Sequence, residues 1–193
     1  MVRPIAPPPR IQGDRFVLRC WSPEDAALLG SAFAASEDSL RTWIPWVLEG
    51  STEPDLMVER LRTYRKHFLE GGDALYAIMD VDESQVLGGI GLYRRVGPSA
   101  LEIGYWVRTD MSGQGIATNA TASLVDAGLT LPGIERVEIH CDPRNEASVA
   151  IPRKLGFRLR EIARRRLEQT GQEAQTMIWE VTAEMLSMAY SRL

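Results

Sequence analysis

The chain has 193 residues, 45% hydrophobic and 25% charged, which suits one domain with its own core and excludes a disordered tail or a disulfide-stapled mini-domain. Its formal charge of -4, from 22 basic and 26 acidic residues, argues against a nucleic-acid partner and suits cationic acceptors slightly better than anionic ones. Two cysteines, Cys20 and Cys141, are too few for a disulfide framework and lack metal-ligand spacing; both read as buried thiols, and no metal site is expected.

The start, MVRPIAPPPR, has no apolar stretch behind its basic residue, so a secretory signal is not expected. Pro4, Pro7, Pro8 and Pro9 instead favour an extended, Pro-rich arm over residues 1–12, leaving 13–193 as a single domain. No apolar run approaches the roughly 20 residues that a membrane span needs, so a cytoplasmic protein with no membrane partner is expected. Arg15 to Trp21 reads as a first strand. Ser22-Pro23-Glu24-Asp25 opens a helix, with Ser22 as cap, Pro23 in the first turn and Asp25 where a capping-box acid belongs. Pro54-Asp55 starts a second helix, whose apolar residues recur at helical spacing from Leu56 to Leu69 and which Gly71-Gly72 ends.

The period then changes. Ala74 to Val81, Val86 to Arg95 and Leu101 to Arg108 are strand-like runs joined by short turns, which implies an antiparallel meander. Gly115 to about Leu131 is helical, Arg136 to Cys141 a strand, and Asn145 to Leu155 a helix. Strands near Arg158 to Leu167 and Thr176 to Val181, and a last helix over Ala183 to Tyr190, complete a mixed α/β (α+β) domain.

The most informative stretch runs from Leu101 through Trp106, Val107 and Arg108 to Gly113-Gln114-Gly115-Ile116-Ala117-Thr118. A strand enters a loop with two glycines that opens directly into a helix. Backbone N–H groups converge in such a loop, and the helix start adds about half a positive charge, a geometry suited to pyrophosphate. It is no Walker loop, because no Gly-Lys-Ser/Thr follows, and the third glycine of the dinucleotide fingerprint is absent. On these residues alone, an ordinary tight turn with a glycine-assisted helix start remains open.

This stretch resembles motif A of the GNAT N-acetyltransferase superfamily, in which Gln/Arg-x-x-Gly-x-Gly/Ala forms the coenzyme A pyrophosphate loop. Gly115 and Ala117 match, while Ser112 stands where Gln or Arg is usual. Asp142-Pro143-Arg144-Asn145-Glu146-Ala147-Ser148 and Lys154-Leu155-Gly156-Phe157 look like the family's Asn-x-x-Ser and Lys-x-Gly-Phe segments. Arg41-Thr42-Trp43-Ile44-Pro45-Trp46 resembles the branch that acetylates ribosomal-protein N-termini. The resemblance implies a GNAT fold, with a mostly antiparallel central sheet flanked by helices and splayed central strands. It implies acetyl-CoA as co-substrate, a primary amine as acceptor (a protein N-terminus or a small molecule), and often a homodimer. A coenzyme A-binding regulatory module without turnover is the alternative.

By that resemblance, Trp106, Val107, Arg108, Gly113, Gln114, Gly115, Ile116, Ala117, Thr118 and Asn145 would hold the cofactor. Glu102, on one strand face with Gly104 and Trp106, is the candidate base, or else an anchor for the amine or an arginine's partner. Asn145 can also cap the helix that follows it. The family's thiolate-protonating tyrosine is replaced by Pro152, which makes Ser148 the substitute candidate. Pro152 also cannot donate to the Ser148 carbonyl, which should be left for water, cofactor or substrate, with a kink in the helix. Trp43 and Trp46 are candidate walls of the acceptor pocket, or core tryptophans. His67 and His140 have no partner in the sequence and are assigned no role, and Arg164-Arg165-Arg166 reads as a solvated face.

Overall fold

The computed structural model describes residues 6–49, 53–166 and 173–190. Eight strands form one sheet: β1 (Arg10–Gln12), β2 (Val17–Cys20), β3 (Ala74–Met79), β4 (Val86–Tyr93), β5 (Ala100–Val107), β6 (Arg136–Cys141), β7 (Arg158–Arg166) and β8 (Glu173–Thr182). Six helices accompany them: α1 (Ala26–Ala34), α2 (Glu37–Trp43), α3 (Pro54–Leu69), α4 (Ile116–Leu129), α5 (Glu146–Lys154) and α6 (Ala183–Tyr190). The strand order is β1-β2-β3-β4-β5-β6-β8-β7, and every neighbouring pair is antiparallel except β5 and β6. That one parallel pair needs a crossover, which α4 supplies.

Alternation along the strands separates two cores. Leu92, Leu101, Ile103, Val137 and Ile139 face α4 and α5, with Ala120, Leu124 and Val149 packed on them. Val17, Ala77 and Met79 face the other way, against Leu29 and Phe33 of α1, Leu40 of α2, and Met57 and Leu61 of α3. The helices therefore sit on both faces, but α1–α3 cover only the half of their face that belongs to β2–β5.

Residues 10–12 of the expected arm pair with β2 as an edge strand. Prolines cannot donate to a ladder but their carbonyls can accept, and here the Pro9 carbonyl takes the Cys20 N–H at 2.9 Å. The Pro8 carbonyl takes the Tyr76 hydroxyl at 2.8 Å. At Ser22–Asp25 the Asp25 carboxylate accepts the Ser22 N–H at 2.8 Å, although a 3-10 turn over Pro23–Asp25 precedes α1 proper. The periodicity carried no sign of α2 as a separate helix, because its seven residues bury only Leu40. The strand and helix limits elsewhere agree with expectation to within a few residues.

Two local features shape the centre of the sheet. The β5–β6 ladder runs from Ala100–Arg136 to Ile103–Ile139 and stops. Beyond it β5 continues to Val107 paired only with β4, and β6 continues to Cys141 paired only with β8. The central strands thus part at their C-terminal ends. Opposite β5, the run Gly88-Gly89-Ile90-Gly91 lets its neighbour lie close: a Cβ on Gly89 would fall 2.6 Å from the Trp106 indole nitrogen. The Trp106 ring lies over that glycine and against Phe33, with centroids 5.3 Å apart.

Substituting Gly89→Ala should therefore displace Trp106 and destabilise the fold by about 1–3 kcal/mol. In a chain of this size that lowers the melting temperature by about 2–4 °C per kcal/mol, measurable by calorimetry.

Candidate active site

The loop after β5 has the geometry that its glycines suggest, for a reason of backbone conformation. Gly113 and Gly115 adopt φ of 76° and 79°, in the left-handed region that other residues enter only at a cost. A Cβ at Gly113 would meet nothing within 4 Å, so conformation rather than crowding demands glycine there. Gly115 is the N-cap of α4, and no side chain caps that helix. Its first-turn N–H groups, on Ile116, Ala117 and Thr118, have no partner within the helix by construction. They present a ready anion site at the positive end of a 14-residue helix.

Side chains around the loop are mostly engaged elsewhere. Arg108 grips Asp110 through two bonds of 3.0 and 2.7 Å, which holds the Asp110 carboxyl below its ordinary range. Gln114 Oε1 accepts from Arg15 at 3.4 Å. The buried Ser36 hydroxyl accepts the Thr109 N–H at 3.2 Å, tying the α1–α2 junction to the loop. Any hold these residues have on a phosphate would come chiefly from main-chain N–H groups.

At the far side of the gap, Asn145 caps α5, its Oδ1 accepting the Ser148 N–H at 3.1 Å. The oxygen is used and the amide nitrogen is left as a donor. Ser148 is half-buried, and sequence reasoning missed its neighbour. The Tyr105 hydroxyl, from β5, donates to the Ser148 carbonyl at 3.1 Å and stands 3.2 Å from Ser148 Oγ. This corrects the expectation that Pro152 leaves the carbonyl open: the helical N–H is indeed missing, but a phenol replaces it. α5 runs on through Pro152 as one helix. Burial pushes the Tyr105 phenol up, so it stays protonated across the physiological range. Cys141, at the end of β6, is also buried and raised, mainly by desolvation, which keeps it a thiol.

Glu102 lies on the opposite sheet face, beyond the cover of α1–α3. Its carboxylate takes two bonds from Arg95, at 2.9 and 2.6 Å, and Arg95 also stacks 4.4 Å from the Tyr93 ring centroid. The pairing with an arginine that the sequence left open is thus present. Beside it a second carboxylate, Glu138, has a side chain only 2% exposed. It accepts from Arg136 at 2.8 Å and Arg160 at 2.7 Å, and its other oxygen is 2.7 Å from His140 Nε2. Burial alone would raise the Glu138 carboxyl, but the bonds from His140 and Arg136 and the nearby Arg160 charge outweigh it, leaving it below the ordinary value. Glu180 beside them pairs with Arg158. Apart from an arginine partner for Glu102, none of these contacts was visible in the sequence except as alternation.

Trp43 is half-buried at the end of α2; the side chain of Trp46, in the 3-10 turn Pro45–Leu48, lies outside the described residues, as do those of Arg165 and Arg166. Arg164 is exposed, as a solvated face requires. Among the described residues there is no group of three or more His, Cys, Asp or Glu placed to hold a metal ion, and no helix is long and apolar enough to cross a membrane.

A parted central sheet, a helix that starts on glycine beside the gap and a buried carboxylate on the open face lie together at the centre of the sheet. Residues 15–158 match the model of the acetyltransferase (GNAT) domain, and the chain belongs to that family as an N-acetyltransferase. Among its relatives is the ribosomal protein uS5-alanine N-acetyltransferase of Escherichia coli K12, 25% identical over 157 residues, covering 80% of this chain and 81% of the relative. Two solved structures share the fold, each with a TM-score of 0.79. The microcin C7 self-immunity acetyltransferase MccE, in complex with acetyl-CoA and AMP, is 18% identical and covers 88% of this chain and 93% of its own. RimL, the ribosomal L7/L12 N-acetyltransferase in complex with coenzyme A, is 19% identical and covers 90% of this chain and 97% of its own.

The depressed Glu138 carboxyl has a consequence for stability. A group whose pKa is lower in the folded state stabilises the fold above its unfolded value, near 4.3, and loses that contribution as pH falls through the folded value. Glu138→Gln should lower the melting temperature at pH 7, by about 1–3 kcal/mol of stability. It should also flatten the loss of stability below about pH 4.5; an acid limb as steep as wild type would assign that limb to other carboxylates.

Proposed function

We propose that the chain transfers the acetyl group of acetyl-CoA to a primary amine, by direct attack in a complex that holds both substrates. The observation that carries this is the gap between β5 and β6, with the uncapped start of α4 at one side and Glu102 on the open face. The main-chain N–H groups from Gly113 to Thr118 suit the pyrophosphate. The edges of Trp106 and Val107 on β5, unpaired toward β6, and of Arg108 just beyond the strand suit the amides of the pantetheine arm. The Asn145 amide nitrogen is a further donor there. Acetyl-CoA supplies a thioester carbonyl open to attack by a neutral amine.

The remaining steps belong to the chain. Glu102 accepts a proton from the acceptor, and its Arg95 partner is 60% exposed, so the pair can open toward an incoming cation. Ser148, held in place by Tyr105, passes a proton to the departing thiolate and takes one in turn from the nitrogen of the collapsing intermediate. Cys20 and Cys141, both buried and raised, are not needed as nucleophiles. The acceptor is an N-terminal amine of a protein, on the pattern of the uS5 relative, with the half-buried Trp43 bordering its entry.

Thiol release from acetyl-CoA, against N-terminal peptides, polyamines, amino acids and amine antibiotics on one plate, tests this directly. Release with peptides names the acceptor class; release only with a small amine moves the substrate; acetyl-CoA binding without release indicates a regulatory module. Glu102→Gln should lower kcat by about 100-fold or more. Gly115→Ala, strained by about 1–2 kcal/mol at its φ, should instead raise the KM for acetyl-CoA about tenfold, with kcat nearly unchanged.

A further inference from the structure

His140 is the first residue of β6 beyond the last β5–β6 pair, so it lies at the mouth of the gap on the same face as Glu102. Its side chain is only 6% exposed and stands between two carboxylates. Nε2 is 2.7 Å from Glu138 Oε2, and Nδ1 is 3.6 Å from Glu102 Oε2. An ionised carboxylate only accepts, so the short contact fixes the tautomer: the proton of a neutral His140 sits on Nε2, aimed at Glu138. Arg136 and Arg160 hold Glu138 ionised and in place. The nitrogen turned toward Glu102 is therefore the basic one.

We propose that His140, oriented by Glu138, relays the proton that Glu102 takes from the acceptor's ammonium group. This rests on the reading of Glu102 as base. An N–H bond of the ammonium breaks, its proton passes to a Glu102 oxygen and on to His140 Nδ1, and the amine keeps the electron pair for attack. The imidazolium formed lies between two carboxylates and gives its proton to water as product leaves. The charged groups facing the relay are Arg95 from the β4–β5 turn, Arg136 on β6, and Arg158 and Arg160 on β7, with Glu180 on β8 already paired to Arg158. These guanidinium groups remain charged at any pH of interest. His140 is a positioning and relaying residue: it acts through Glu102, while Glu102 meets the amine.

The test compares transfer by wild type, His140→Gln and Glu138→Gln at pH 7 and pH 9, with a peptide whose amine titrates near 8. At pH 7 the His140→Gln enzyme should lose about tenfold in kcat, because about a tenth of an amine titrating near 8 is already neutral there, with the KM for acetyl-CoA unchanged. At pH 9, where solvent already deprotonates the amine, the deficit should shrink to within about threefold, and Glu138→Gln should follow the same pattern more weakly. An equal loss at both pH values, or no loss, overturns the proposal while an active wild type and an impaired Glu102→Gln leave the base assignment standing. A wild type that acetylates no amine removes both. Nitrogen NMR of the imidazoles gives a measurement that no folding defect can obscure. The chain has two histidines, and His67 is exposed on α3, so a His67→Gln chain reports His140 alone. The Nε2-protonated tautomer is expected, and the Nδ1-protonated one overturns the relay.

Discussion

The parallel ladder between β5 and β6 lasts four residue pairs, and the site depends on its ending where it does. Each strand has a firmer partner on its other side. β5 is clasped to the glycine run of β4, with Trp106 lying flat on Gly89 and braced by Phe33. β6 is bound to β8 along its whole length. Right-handed sheet twist accumulates across the parallel pair, and two strands each held from outside have nothing to bring them back together. Backbone donors and acceptors left unpaired by the parting must be satisfied by something else, which is what an extended, amide-bearing ligand offers.

Around that gap the chain divides its labour by sheet face. On the α4–α5 side the groups are nearly neutral: main-chain N–H groups, an asparagine amide, a serine and a phenol kept protonated by burial. Such a surface can bind a polyanion without a matching set of cations, because the helix start concentrates partial charge where the anion sits. On the opposite side Glu102, Glu138 and Glu180 are buried and each is met by arginine. Buried carboxylates are tolerated only when paired in this way. The arginine heads reach solvent while the carboxylates do not, so the face shows water its positive ends and keeps its bases within.

The elements and the glycine loop that opens α4 were legible in the order of residues alone. Period-two alternation from Ala74 to Val107, the glycines at 113 and 115 and the Asn145 cap are local signals, because each is a property of adjacent backbone. That Glu102, Gly104 and Trp106 share a face also follows from alternation alone. Two local signals were incomplete. α2 is too short for its period to show, and the prolines at the start held no hint that the next three residues join the sheet.

Which side chains meet was settled by the packing of distant segments. Tyr105 and Ser148 are 43 residues apart, and Glu138 and Arg160 are 22 apart. No spacing rule connects them, since their contact is set by the crossover through α4 and by the order that puts β8 between β6 and β7. The surroundings of His140 were hidden for the same reason. One of its two carboxylates lies two residues away along β6, and the other arrives only when β5 is laid beside that strand. Alternation fixes which way a side chain points, but strand order fixes what it finds there.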